Sequence, residues 1–130
     1  MEIEHFAPLL VKSGLSSPHE SEALIERFRT ESRKSGKAET VEGLCEFLIA
    51  TGLFTEWQCG KLLQGKYKGF YLDNFLMLEQ CGKDERTSSY KARDARDGKL
   101  VCLVVTPPMY TDKPYIDYRV ELFDPARHTF

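Results

Sequence analysis

Between two apolar runs, 75–78 and 100–105, lies the stretch Gly82-Lys83-Asp84-Glu85-Arg86-Thr87. A glycine opening a short polar loop is the pattern by which backbone N–H groups approach phosphate, because the missing Cβ lets an anion reach the main chain. Here Asp84 and Glu85 would put negative charge where phosphate charge would lie, and the competing reading of Gly82 is a simple turn between strands. The other reactive side chains are scattered. His5 and His19 have no carboxylate or cysteine at ligand spacing, which predicts surface or helix-cap histidines. Cys45, Cys59, Cys81 and Cys102 show no CxxC spacing, so neither a zinc site nor a disulfide framework is expected; Cys45 and Cys102 sit in apolar runs, as small hydrophobes do. No metal or other cofactor is expected. Ser, His and acidic residues nowhere converge at a spacing that serves nucleophilic catalysis.

The elements that must position these residues belong to a chain of 130 residues, enough for one ordinary domain or two very small ones. A hydrophobic fraction of 42% and a charged fraction of 29% are those of a globular chain. The net charge of −2 argues against non-specific binding to nucleic acid or a membrane surface, which needs a basic field. Arg27, Arg29, Arg33, Lys34 and Lys37 cluster, but Glu26, Glu31 and Glu39 interleave with them, which predicts a solvated helix face. The opening residues have no basic segment followed by a long apolar one, so no signal peptide or membrane span is expected and the predicted location is cytoplasmic.

The first half repeats itself. Leu10 to Glu20 aligns with Leu48 to Gln58, 38 residues further on. Each copy reads as one helix ending and another beginning. Gly14 or Gly52 suits the left-handed position past a helix end, with Leu15 or Leu53 packing back behind it. Ser17-x-x-Glu20 and Thr55-x-x-Gln58 are capping boxes, and Pro18 suits a first helical position. Helical periodicity then predicts four helices, near 2–13, 18–34, 39–51 and 56–65, arranged as two helix-turn-helix units. Trp57 is expected to anchor a core or a domain boundary.

From Lys66 the period becomes alternating. Residues 74–80, 88–95 and 100–106 read as strands, the last two joined at Asp97-Gly98, and 115–123 reads as a fourth, half-buried strand before a polar tail that contains His128.

The run LFTEWQCGKLLQGKYKGFYLDNFLMLEQCGKDERTSSYKARDARDGKLVCLVV resembles the region leading into the catalytic domain of bacterial serine/threonine protein kinases of the planctomycete type. The likeness covers roughly residues 45–106, and its helical part, with Trp57-Gln58, Leu62-Leu63, Gly65 and Gly69-Phe70, is the more specific. In that family a G-x-G-x-x-G-x-V loop covers the nucleotide phosphates and a V-A-I-K strand supplies the lysine that anchors them. Carried over, Gly82 keeps the first glycine, Asp84 and Thr87 stand at the second and third, and Val104 stands at the lysine. Lys91 and Lys99 would need rerouted side chains to replace it. No H-R-D-x-x-x-x-N and no D-F-G occurs in the chain.

The repeat and periodicity thus predict an α+β chain, a four-helix interaction module over 1–66 and then a small antiparallel β domain over 67–130, and the resemblance implies that this second domain is a degenerate kinase N-lobe. The expected function is a non-catalytic protein-interaction or regulatory module, pseudokinase-like, in which Gly82, Asp84, Thr87 and Val104 are vestigial nucleotide-binding positions and ATP binding is not expected. The alternatives are a nucleotide-sensing lobe, or the regulatory N-terminus of a longer active kinase. A protein partner is expected, with a homodimer as one candidate because sheet edges lie open. Trp57, Tyr67, Phe70 and Tyr71 are the candidate partner contacts, with Tyr110, Tyr115 and Tyr118 as a second aromatic segment.

Overall fold

A computed structural model describes residues 1–110 and 115–126. The chain forms two compact units, Met1–Phe70 and Tyr71–Phe130. Four helices precede a five-stranded antiparallel sheet, the α+β class expected.

The helical unit holds α1 (Ile3–Lys12), α2 (Pro18–Ser35), α3 (Val41–Ala50) and α4 (Glu56–Leu63). Its internal repeat is visible atom by atom. After α1 the Ser13 hydroxyl donates to the Leu10 carbonyl and accepts the Leu15 N–H; after α3 Thr51 does the same with Leu48 and Leu53. Gly14 and Gly52 both take φ of +80°, a conformation that a Cβ disfavours. Each following helix is opened by a complete capping box, Ser17 with Glu20 and Thr55 with Gln58, which satisfies N–H groups that no helical carbonyl can reach. Equivalent positions are buried in both copies: Phe6 and Leu44, Leu10 and Leu48, Leu24 and Leu62.

One expectation fails. Leu53 is 66% exposed and does not pack back; the inward position falls one residue later, at Phe54, as it does at Ser16 in the first copy. The basic cluster is only partly free in water. Arg29 lies between Glu4 and Glu39 at 3.4 and 3.6 Å, and Arg33 also meets Glu39.

The second unit is a meander of β1 (Tyr71–Leu72), β2 (Phe75–Lys83), β3 (Ser88–Asp94), β4 (Leu100–Thr106) and β5 (Asp117–Leu122), in that spatial order. β1 was not anticipated. It turns into β2 through Asp73 and Asn74, with Asp73 at φ +52°, a left-handed conformation that Asp tolerates better than most residues. The β3–β4 connection carries Gly98 at φ +75° and is braced by Asp94, whose carboxylate accepts two bonds from the Arg96 guanidinium and one from its backbone N–H. Two register shifts in β2, after Met77 and after Gln80, add twist. The sheet curls far enough that the Tyr118 hydroxyl on β5 donates to Asp73, while its ring stands edge-on to Phe75 of β2. Leu103 and Cys102 on β4 are fully buried.

The last strand differs from the half-buried strand expected. Its apolar side chains Val120 and Leu122 are 47% and 87% exposed, because β5 ends the sheet and nothing among the described residues lies beyond it. In the polar tail, His128 lies outside the described residues.

Candidate functional site

Four positions were expected to mark the phosphate loop, and the sheet register brings two of them into one row. Gly82 on β2 pairs with Ser89 on β3, Ser89 with Val104 on β4, and Val104 with Arg119 on β5. Gly82 is therefore not part of a turn between strands. It lies inside β2, it does not take a positive φ, and a Cβ added there would meet only the Ser89 Cβ, at 3.9 Å. Gly82→Ala should accordingly be neutral or raise stability by up to about 1 kcal/mol through the unfolded chain. Urea melts of the two proteins check this.

Past the end of β2, Asp84 closes the loop on itself. Its backbone N–H donates to the Thr87 carbonyl, and its carboxylate accepts the N–H groups of Thr87 at 2.9 Å and Arg86 at 3.1 Å, plus the Thr87 hydroxyl at 2.9 Å. The Thr87 N–H first, then the Arg86 N–H, hold the Asp84 carboxyl below its usual value. These are the kind of donors that a phosphate loop must leave free. Val104 is buried on β4. The Lys91 ammonium lies 4.0 Å from Glu79 and over the Phe123 ring. The cation on this row is Arg119, which was not anticipated. It lies 3.8 Å from Glu121 and its charge also acts on Asp84.

The aromatic candidates divide by burial. Phe70 is 2% exposed and belongs to the helical core, where Trp57 meets it edge-on at 5.7 Å. Trp57 is half-buried with the Lys61 ammonium over its ring, and Tyr67 is half-buried between Lys12 and Lys68. Tyr71 is 47% exposed on β1. Tyr115 is exposed, Tyr118 is half-buried, and the Tyr110 side chain is outside the described set.

Two features of the helical unit escaped the sequence reading. One is a groove of about 550 Å³ between α1 and α2, with Ala7, Val11 and Ile25 in its apolar lining and Glu4, Glu22 and Glu26 as its acidic groups. Pro8 also lines it and has no N–H to give the Glu4 carbonyl one turn back, so that acceptor lacks its helical partner. The other is a thiol pair. Cys45 on α3 and Cys59 on α4 act on each other, the interaction lowering the Cys45 thiol and raising Cys59. Both are buried.

His5 and His19 are exposed. Among the described residues no group of three or more His, Cys, Asp or Glu is placed to hold a metal ion, and no helix is long and apolar enough to cross a membrane. No protein-family model, curated protein or solved structure matches the chain.

Proposed function

We propose that the chain is a non-catalytic protein-interaction or regulatory module, related to the N-terminal region of a serine/threonine protein kinase and acting in the cytoplasm, with its ATP site disabled. The observation that carries this reading is the Asp84 carboxylate seated on the N–H groups of Arg86 and Thr87. A nucleotide phosphate would have to displace a covalently attached anion already bonded there, and would then meet its repulsion. Burial of Val104 supports the same reading, since no ammonium stands at that point of β4 to repay the phosphate charge.

The partner surface is the α1–α2 groove, and its occupant is a cationic amphipathic helix of another protein. Glu22 and Glu26 lie one turn apart along α2 on the groove, and Arg29, the cation beside them, is engaged by Glu4 and Glu39. An apolar stripe on the partner would cover Ala7, Val11 and Ile25 while lysines or arginines meet the rim. The test is fluorescence anisotropy with a labelled amphipathic Leu/Lys peptide. Saturable binding is expected, weakened about tenfold or more, 1.4 kcal/mol, by Glu22→Lys with Glu26→Lys. Absent binding, or equal binding to wild type and the charge-reversed variant, would overturn the groove as the interaction surface.

A further inference from the structure

We propose that the surface formed by the ends of α1 and α4 and the connector after α4 is a second docking site, one that takes an acidic segment of a partner protein. Between Glu56 and Asp73 the chain has no acidic residue, yet Lys61, Lys66 and Lys68 all lie there, in a protein whose net charge is −2. Gly65, at φ +78°, turns the chain out of α4: its N–H donates to the Leu62 carbonyl, and the Lys66 N–H donates to the Lys61 carbonyl. The connector then brings Tyr67 to α1, where the Lys12 ammonium stands 5.6 Å from the ring centre and the Lys68 ammonium 5.8 Å. On α4 the Lys61 ammonium stands 5.8 Å from the centre of the Trp57 ring, one turn back along the helix. Four ammoniums thus gather at the C-terminal ends of α1 and α4.

These cations have no acid to meet within the protein. Among the described residues no carboxylate lies within ion-pair distance of any of the four, whereas Arg29 and Arg33 are engaged by Glu4 and Glu39. Lys12 and Lys61 lie in the last turns of their helices, where a cation offsets the partial negative charge of the end carbonyls. That role does not reach Lys66 and Lys68, which lie past the end of α4 and are exposed. With Gly65 and Tyr67 these two lysines line a hollow of about 300 Å³.

A carboxylate entering the hollow meets ammoniums that the Tyr67 ring already holds nearby, so little side-chain freedom is lost on binding. A single strand of nucleic acid would instead need an open ring face on which to stack a base, and at Tyr67 and Trp57 an ammonium stands there. A long strand would also run off the patch onto a protein of negative net charge. A short run of aspartates and glutamates meets the lysines where they stand. The site shares no residue with the acidic-rimmed α1–α2 groove and does not depend on what fills it.

The experiment measures fluorescence anisotropy of a rhodamine-labelled oligoglutamate peptide titrated with the full chain. Saturable binding is expected, weakened about fivefold or more by Lys66→Glu with Lys68→Glu. It should be lost as salt rises from about 0.1 to about 1 M, which shortens the screening length from about 10 to about 3 Å. Lys34→Glu with Lys37→Glu makes the same change in net charge at another exposed face and should leave binding within about twofold. All four positions are exposed, so both variants should keep the fold, which circular dichroism checks. Glu22→Lys with Glu26→Lys should bind this peptide at least as tightly as wild type, so that this site and the groove stand or fail separately. Absent binding, equal binding by the Lys66 and Lys68 variant, or an equal loss in the Lys34 and Lys37 variant would overturn the proposal. So would an oligothymidylate of the same length that binds more tightly than the peptide.

Discussion

Replacing Phe6 with alanine is expected to destabilise the helical unit by about 3–5 kcal/mol, the usual cost of emptying a fully buried aromatic site. Phe6 has no exposed surface, and it shares the core with Leu10, Leu44, Leu48 and Leu62, contributed by all the helices but α2. A unit of this size has only about 3–10 kcal/mol of stability at roughly 0.05–0.15 kcal/mol per residue, so one substitution removes much of it. The urea midpoint of the helical circular dichroism signal should fall steeply. Leu53→Ala is the matched control. Its side chain is exposed, so its loss should stay within about 0.5 kcal/mol. A large Leu53 effect would mean that the residue packs behind Gly52 after all.

The substitution Val104→Lys restores the residue type that the kinase resemblance puts at this point, yet it is expected to damage the protein. Val104 is 7% exposed in β4, between Ser89 and Arg119 on the neighbouring strands. A lysine there would be an uncompensated buried charge beside another cation, at a cost of about 3–5 kcal/mol. Val104→Ile, which keeps the chemistry and adds one methylene, should cost less than about 3 kcal/mol. Chemical denaturation of the three proteins decides the matter. A Val104→Lys protein as stable as wild type would mean that the site can hold an ammonium, and that the lobe is closer to a working nucleotide site than its burial implies.

The helices were legible because their ends carry explicit chemistry. Ser17, Glu20, Thr55 and Gln58 cap in both copies of the repeat, and Gly14 and Gly52 sit at the left-handed turns. The sheet was legible from alternation, except where a strand has two residues: Tyr71-Leu72 is too short for a period, and only Asp73-Asn74, a turn pair left unread, could have signalled β1. The apolar alternation of β5 correctly marked a strand but not its burial, which depends on whether another element covers the edge. At the loop, the sequence made the negative charges of Asp84 and Glu85 legible. That the Asp84 carboxylate would take up the loop's own N–H groups depends on backbone geometry, which residue types alone do not encode. The Cys45–Cys59 interaction and the groove both require knowing which helix faces meet. The repeat alignment could have hinted at the first, since Ala7 and Ser21 occupy the equivalent positions.

The most direct test of a disabled nucleotide site is a thermal-shift titration of the full chain with ATP and with ADP, with and without magnesium, up to millimolar concentration. A specific ligand at about 100 times its dissociation constant would add roughly 2.7 kcal/mol, a rise of several degrees in a domain this small. The expected result is no shift with any nucleotide. A saturable shift would show that the loop yields its Arg86 and Thr87 N–H groups to phosphate despite Asp84, and would contradict the reading of this lobe as one that has kept its packing and lost its ligand.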